Sequence, residues 1–360
     1  MITLKSTLLY YLKCFLASEY EDNSDSFIEF SHNRKSYSPT RPAIKKTRSI
    51  DWRKIPIQKR PSDTEVLYVS ALPQVFSGDL SRQSNSDHCQ VDSQETACSF
   101  TKKLQAFQLE VLTNNSTFST KIKAETRRIL STLWQSFKVE SNRPGWISFR
   151  LSHHGICTWI NQFQSVSHLA DTNHTLVINK QLFKSFKNSS TLQPVKQKRS
   201  GYVKVQENHH IWQAQYAHAR CCSLIRGWHV INKSSTSHHP LLQDTPADQG
   251  KGFNQEEALA TLQSIFSSEQ ATATHQLIQA LIETADNMFW IPECYPQKGY
   301  FLLLEQTERL CFAFDQFHRA NPLVPNTFKP FPYLTLINCT RHLLALLLHD
   351  YFHVLAPEHL

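Results

Sequence analysis

Apolar positions crowd the last stretch of the chain. Between Pro332 and Pro357 the leucines 334, 336, 343, 344, 346, 347 and 348, with Tyr333, Ile337, Phe352, Val354 and Leu355, cover most of a helical wheel. Only one stripe is left polar: Thr335, Asn338, His342, His349 and His353. A helix so apolar must be buried on nearly every side, so the pattern predicts one continuous helix at the centre of a helical domain, stopped by proline at either end. Residues 301–360 thus read as two long apolar helices joined by a Pro-punctuated link.

Weaker periodic segments precede it. Leu4, Leu8, Leu9, Leu12, Phe15 and Leu16 share a helical face, which predicts an amphipathic packing helix rather than a secretion signal, because Lys13 interrupts the apolar run. Residues 65–76 are apolar enough to enter a core, and a Ser/Gln/Asp-rich loop follows to residue 95. Residues 99–139 read as helical, with an apolar stripe of Leu104, Phe107, Leu109 and Val111, a second of Ile122, Leu130, Leu133, Trp134 and Phe137, and a break at 113–120. Gly145 to Leu151 alternates apolar and polar positions, the period of a strand, and Ser152 is placed to cap a helix running from Gly155 to Phe163. Helical patterns return at Ile211 and lapse at Asn232. They resume at 255–268, at 272–287 and at 300–320. The fold class expected is mainly α, with a C-terminal helical bundle over 205–360, a small α+β unit over 1–165, and a basic linker over 166–204 between them.

Composition narrows the chemistry. The chain has 360 residues and only eight glycines, with no GxGxxG or GxxxxGK[ST] pattern, so nucleotide sites of those two kinds are not expected. A formal charge of +8 favours a polyanionic partner. Residues 31–60 carry ten Lys or Arg against the single acid Asp51, with Tyr37 and Trp52 among them, which suits either a nucleic-acid grip or a solvated linker. Nine scattered cysteines without a CxxC fit a reducing compartment, and with no membrane-length apolar run the expected location is the cytoplasm. His349-Asp350-Tyr351-Phe352-His353 has the spacing of a helical zinc site. A third ligand is lacking, and Asp is one methylene short of the usual general base, so the stripe is read as the polar end of a buried helix and no metal or cofactor is expected. The pairs His209-His210 and His238-His239 are expected to face solvent. Cys221 and Cys222 read as small packing residues.

Three segments together resemble arginyl-tRNA synthetase, in the order that family has them. Pro144 to Ser152, PGWISFRLS, resembles the strand near the end of the family's additional N-terminal domain. Gln215 to Arg226, QYAHARCCSLIR, is similar to the helix opening its DALR-type anticodon-binding domain. Phe314 and Phe317 match a Phe-x-x-Phe helix of that domain, and Ala356-Pro357-Glu358-His359-Leu360 resembles a chain end of the form Ala-Pro-Glu-Arg-Met. The family's Rossmann-type catalytic domain would lie between Phe163 and Gln215, where this chain has about fifty residues, too few for several βαβ units. Ser152-His153-His154-Gly155 echoes the adenylate motif but has no second His after the Gly. The resemblance therefore implies a non-catalytic protein that holds tRNA or another structured RNA. Alternatives are a protein-interaction module of a synthetase-like complex, or one part of a split arginine–tRNA ligase.

By matched position, the residues implied in RNA contact are Tyr216, Arg220 and Arg226 on the opening helix, Phe317, His318 and Arg319, and the terminal Glu358, His359 and Leu360, with Trp212 as an added aromatic beside the match. Single-stranded bases are gripped by stacking on aromatic or guanidinium planes, with Arg or Lys on the flanking phosphates. Core packing is an equal reading for Tyr216 and Phe317, whose faces must also bury area.

Overall fold

The first periodic segment is a helix, α1 (Leu4–Glu21), and the face that the leucine spacing marks is the buried one: Leu4, Leu8, Leu12, Phe15 and Leu16 are inside while Lys13 is exposed. Each such side chain contributes about 1.5–3 kcal/mol by leaving water. The computed structural model describes residues 3–21, 55–60, 62, 65–74, 93–113, 124–170, 201–236, 271–294, 299–321 and 330–359. Most of the basic stretch 31–60, most of the linker 166–204, the helix expected at 255–268, His238-His239, the link 322–329 and Leu360 lie outside these residues.

Four antiparallel strands follow, β1 (Ile57–Arg60), β2 (Val66–Ser70), β3 (Phe137–Arg143) and β4 (Trp146–Leu151), in the order β1-β2-β4-β3. The strand expected at 145–151 is β4, with Ile147, Phe149 and Leu151 turned inward. β1 ends the basic stretch, whose composition gave no strand signal. Phe137 and Val139, read above as the end of a helix, are instead inward positions of β3, paired with Leu151 and Phe149. Their alternation with Lys138 and Glu140 is the period of a strand. The hairpin between β3 and β4 turns at Gly145, whose φ is 73°, and a Cβ there would lie 2.3 Å from Gln74 Cγ.

Two helices flank the sheet, α2 (Ser93–Thr113) and α3 (Ala124–Gln135), separated as the break at 113–120 predicts. Leu109 is exposed although it was placed in the apolar stripe, because Leu104, Phe107 and Val111 already fill the inward face. On the edge strand β3, Gln105 Nε2 donates to Val139 O at 2.8 Å and Gln108 Nε2 to Phe137 O at 2.8 Å, covering carbonyls that an edge would leave open. Ser152 caps α4 (His153–Ala170) as its position predicts: its Oγ accepts from Gly155 N at 3.2 Å.

The helical part comprises α5 (Gly201–Thr236), α6 (Ala271–Cys294), α7 (Gly299–Ala320) and α8 (Pro330–Leu346). α7 lies along α6 and α5, and α8 along α5 and α4. α8 is as buried as its composition demands, with Leu336, Ile337, Leu343 and Leu344 fully inside. It does not reach Pro357. The helix widens into a π turn over Leu347–Tyr351, Phe352 N donates to Leu347 O, His353 takes φ 55°, and residues 352–359 run on without helix. His353 is thereby off the helix that was to hold it four residues from His349, whose Nδ1 lies 2.7 Å from Asp350 Oδ1.

Both parts of the chain share one buried cluster, which takes in Leu8, Tyr68, Phe149 and Trp159 as well as Leu281, Phe314 and Leu344. A polar node crosses it. Asp286 of α6, buried, accepts from the Lys5 backbone N–H at 3.0 Å and the Tyr68 hydroxyl at 2.5 Å. Nearby, Lys59 Nζ donates to Gln279 O at 2.9 Å and lies 3.9 Å from Glu283 Oε2. Among the described residues no helix is long and apolar enough to cross a membrane, and no group of three or more His, Cys, Asp or Glu could hold a metal ion.

Candidate nucleic-acid interface

One turn of helix separates Trp212, Tyr216 and Arg220, so the three project along a single strip of α5. The indole of Trp212 stacks on the Tyr216 ring, with centroids 5.6 Å apart and planes at 24°. Arg220 Nη1 reaches the Tyr216 hydroxyl at 3.5 Å. Trp212 is 60 % exposed and Tyr216 38 %, values that leave the ladder open to a ligand. α7 supplies the opposite wall. A groove of about 630 Å³ lies between the two helices, lined from α5 by Trp212, Tyr216 and Arg220 and from α7 by Arg309, Phe312 and Arg319 among others.

Sequence reasoning had assigned Trp212, Tyr216, Arg220 and Arg319 to RNA contact, and the fold brings these four into one groove. It missed Phe312, which is 65 % exposed. The signal was a large aromatic on the otherwise charged face of α7, in step with Glu305, Glu308, Arg309 and Arg319. Three guanidinium groups, on Arg220, Arg309 and Arg319, face two carboxylates, on Glu308 and Asp315, so the lining is positive. Arg319 is tied to Asp315 at 2.7 Å, and Arg309 to Glu305 at 2.8 Å. These pairs are exposed and weak, and a phosphate can compete for either arginine.

Phe317 lies elsewhere. It is 2 % exposed, like Phe314, and stacks on Tyr333 of α8 at 5.2 Å, so the Phe-x-x-Phe spacing is a core pattern and offers no face to a base. His318 sits at the edge of the same core, sharing a 2.8 Å hydrogen bond with the Tyr333 hydroxyl. Burial lowers its pKa, the Arg220 charge adds to the effect, and the Asp315 carboxylate opposes it. His209 is exposed, but His210 is not turned to solvent: its Nδ1 lies 3.5 Å from Glu308 Oε2 across the α5–α7 contact.

Arg226, Glu358 and His359 form a separate feature. Residues 352–359 lie against the other flank of α5, held by three side chains that each donate to a main-chain carbonyl: Gln215 Nε2 to Leu355 O at 2.9 Å, His218 Nδ1 to Pro357 O at 2.8 Å, and Arg226 Nη2 to Glu358 O at 2.9 Å. Arg226 therefore binds the chain itself and does not join Arg220 and Arg319 in the groove. Glu358 and His359 are exposed. Cys221 and Cys222 are buried free thiols, as expected of packing residues, and burial raises the pKa of both.

No family model, curated protein or solved structure matches the chain. What the groove can do therefore rests on its own chemistry. It offers exposed π faces beside guanidinium groups, the combination that holds unpaired bases and the phosphates between them.

Proposed function

We propose that the chain is a non-catalytic RNA-binding protein, related to the tRNA-gripping parts of arginyl-tRNA synthetase, that takes single-stranded bases of a tRNA or other structured RNA into the α5–α7 groove. The observation that carries this reading is the convergence of Trp212, Tyr216, Arg220 and Arg319 on one groove, with Phe312 opposite. An unpaired base stacks on the exposed indole, while Arg220 and Arg319 neutralise flanking phosphates. The overall charge of +8 supports it by attracting a polyanion from a distance. Phe317 supports the helical framework from within and Arg226 is tied to the Glu358 carbonyl on the adjacent flank of α5, so neither belongs to the contact set.

A filter-binding titration against total tRNA at several salt concentrations tests the proposal. Saturable binding is expected, with an affinity that falls as salt rises and drops on Trp212→Ala. Affinity no greater than that for a size-matched non-nucleic polyanion refutes it. A groove between two helices with exposed Trp212 and Phe312 would also seat an amphipathic helix. Tight capture of such a peptide, without competition by tRNA, would move the function to protein interaction.

A further inference from the structure

We propose that residues 352–359 are a strap that sets the groove from the adjacent flank of α5, and that Gln215, His218 and Arg226 are positioning residues for RNA binding. The proposal rests on the RNA reading of the groove. Helical geometry puts Gln215, His218, Cys222 and Arg226 along one flank of α5 and Trp212, Tyr216 and Arg220 along the adjacent one, so strap and ladder alternate turn by turn over the same stretch of helix.

Three bonds from α5 to the strap end on main-chain carbonyls, at residues 355, 357 and 358. This part of the strap is held by its backbone, while the side chains of Leu355, 84 % exposed, Glu358 and His359 face outward. Its root is rigid. The Tyr351 hydroxyl donates to Met288 O at 2.5 Å, Phe352 is 7 % exposed and packs edge-on against Tyr300, and Val354 N donates to Leu348 O at 2.9 Å. These contacts anchor the strap to α6, to the π turn and to the start of α7, the helix that forms the far wall of the groove. Through the strap, α5 is fastened to the helices around the groove along the flank next to the ligand-facing ladder. The buried His218 holds its proton on Nδ1 to serve the Pro357 carbonyl, with the Glu358 and Arg341 charges nearby.

The test compares Arg226→Ala and Gln215→Ala with Arg220→Ala in the full chain. It reads tRNA affinity against salt at a temperature where each variant is fully folded, and hydrogen exchange of the α5 amides without RNA. The strap variants should exchange faster over residues 212–226 and bind about five- to tenfold more weakly, the lower end of the usual range for a coupling between two sites. Their salt slope should match that of the unaltered protein, and Arg226→Lys, which keeps a donor, should restore most of the affinity. Arg220→Ala should leave exchange unchanged and lower the slope by about 0.7–0.9, the value of one phosphate contact. A slope that falls equally in Arg226→Ala with unchanged exchange overturns the proposal by making Arg226 a phosphate contact. Faster exchange with unchanged affinity overturns the coupling. If the unaltered protein binds no RNA, the groove reading fails on its own, and the exchange data still decide whether the strap fastens α5.

Discussion

Replacing Asp286 by alanine removes the carboxylate on which α1, β2 and α6 meet. The Tyr68 hydroxyl, whose residue is 0 % exposed, and the partly buried Lys5 backbone N–H each lose their acceptor. An orphaned buried donor costs about 1–3 kcal/mol, which applies in full to the Tyr68 hydroxyl and in part to the Lys5 N–H. Removing one partner from a buried charged network costs ~3–5 kcal/mol, which agrees. Asn at this position keeps an acceptor oxygen and should lose only about 1 kcal/mol. For a cooperative unit of this size about 4 kcal/mol corresponds to a fall in Tm of roughly 8–16 °C, readable by circular dichroism. The pH dependence has a defined sign. Burial raises the Asp286 pKa above its ordinary value, outweighing the Tyr68 and Lys5 hydrogen bonds and the Lys5 and Lys59 charges that lower it. A carboxyl with a raised folded pKa favours the native state below its unfolded pKa and loses that advantage as pH rises through the folded value. The stability of Asp286→Asn relative to the unaltered protein should therefore improve as pH is raised from about 4. A loss below about 1 kcal/mol for alanine, or an equal loss for asparagine and alanine, would refute the node as the tie between the two parts of the chain.

Other substitutions separate the groove from its scaffold. Trp212→Ala should weaken binding of single-stranded RNA by about 1–3 kcal/mol in a fluorescence titration while leaving Tm within a degree or two. Phe317→Ala should do the reverse, costing about 3–5 kcal/mol of stability in urea unfolding, because its ring is enclosed against Tyr333. Ser152→Ala should cost about 1 kcal/mol by freeing the first turn of α4, measured in the same way. Burial pushes the Cys157 and Cys311 thiols up to about 12, so at pH 8 both should resist a thiol reagent in the folded protein and react once it is unfolded.

Much of this fold can be read along the chain where one face of an element is buried. The leucine spacing of α1, the alternation in β4 and the near-continuous apolar surface of α8 each reflect a single dominant demand, and each element forms there, α8 over a shorter span than its pattern predicts. Reading fails where two demands overlap. Phe137 and Val139 fit the end of a helix as well as a strand, and only pairing with β4 decides between them. β1 is four residues inside a basic stretch and owes its existence to β2. The end of α8 is apolar enough to continue as a helix, yet the chain unwinds because α5 supplies side-chain donors for carbonyls 355, 357 and 358. The same limit applies to the groove. Aromatic and Arg positions on α5 are picked out by their matched positions in the resemblance, which does not say which flank a strap covers, so Arg226 is grouped with Arg220. Phe312 and Phe317 lie five residues apart on one helix and face opposite environments, which periodicity alone distinguishes only once the packing partner is known.

The contact between Lys5 and Asp286 spans 281 positions of the chain. During translation at ~5–20 residues per second, α1 is made roughly 15–55 s before the helix that receives it. Throughout that interval its leucine face has no permanent partner on α6. Its packing on α2 and α3, through Phe15 against Phe100 and Tyr11 against Trp134, can form long before that, so the seam between α1 and α6 is the part of the helix that closes last.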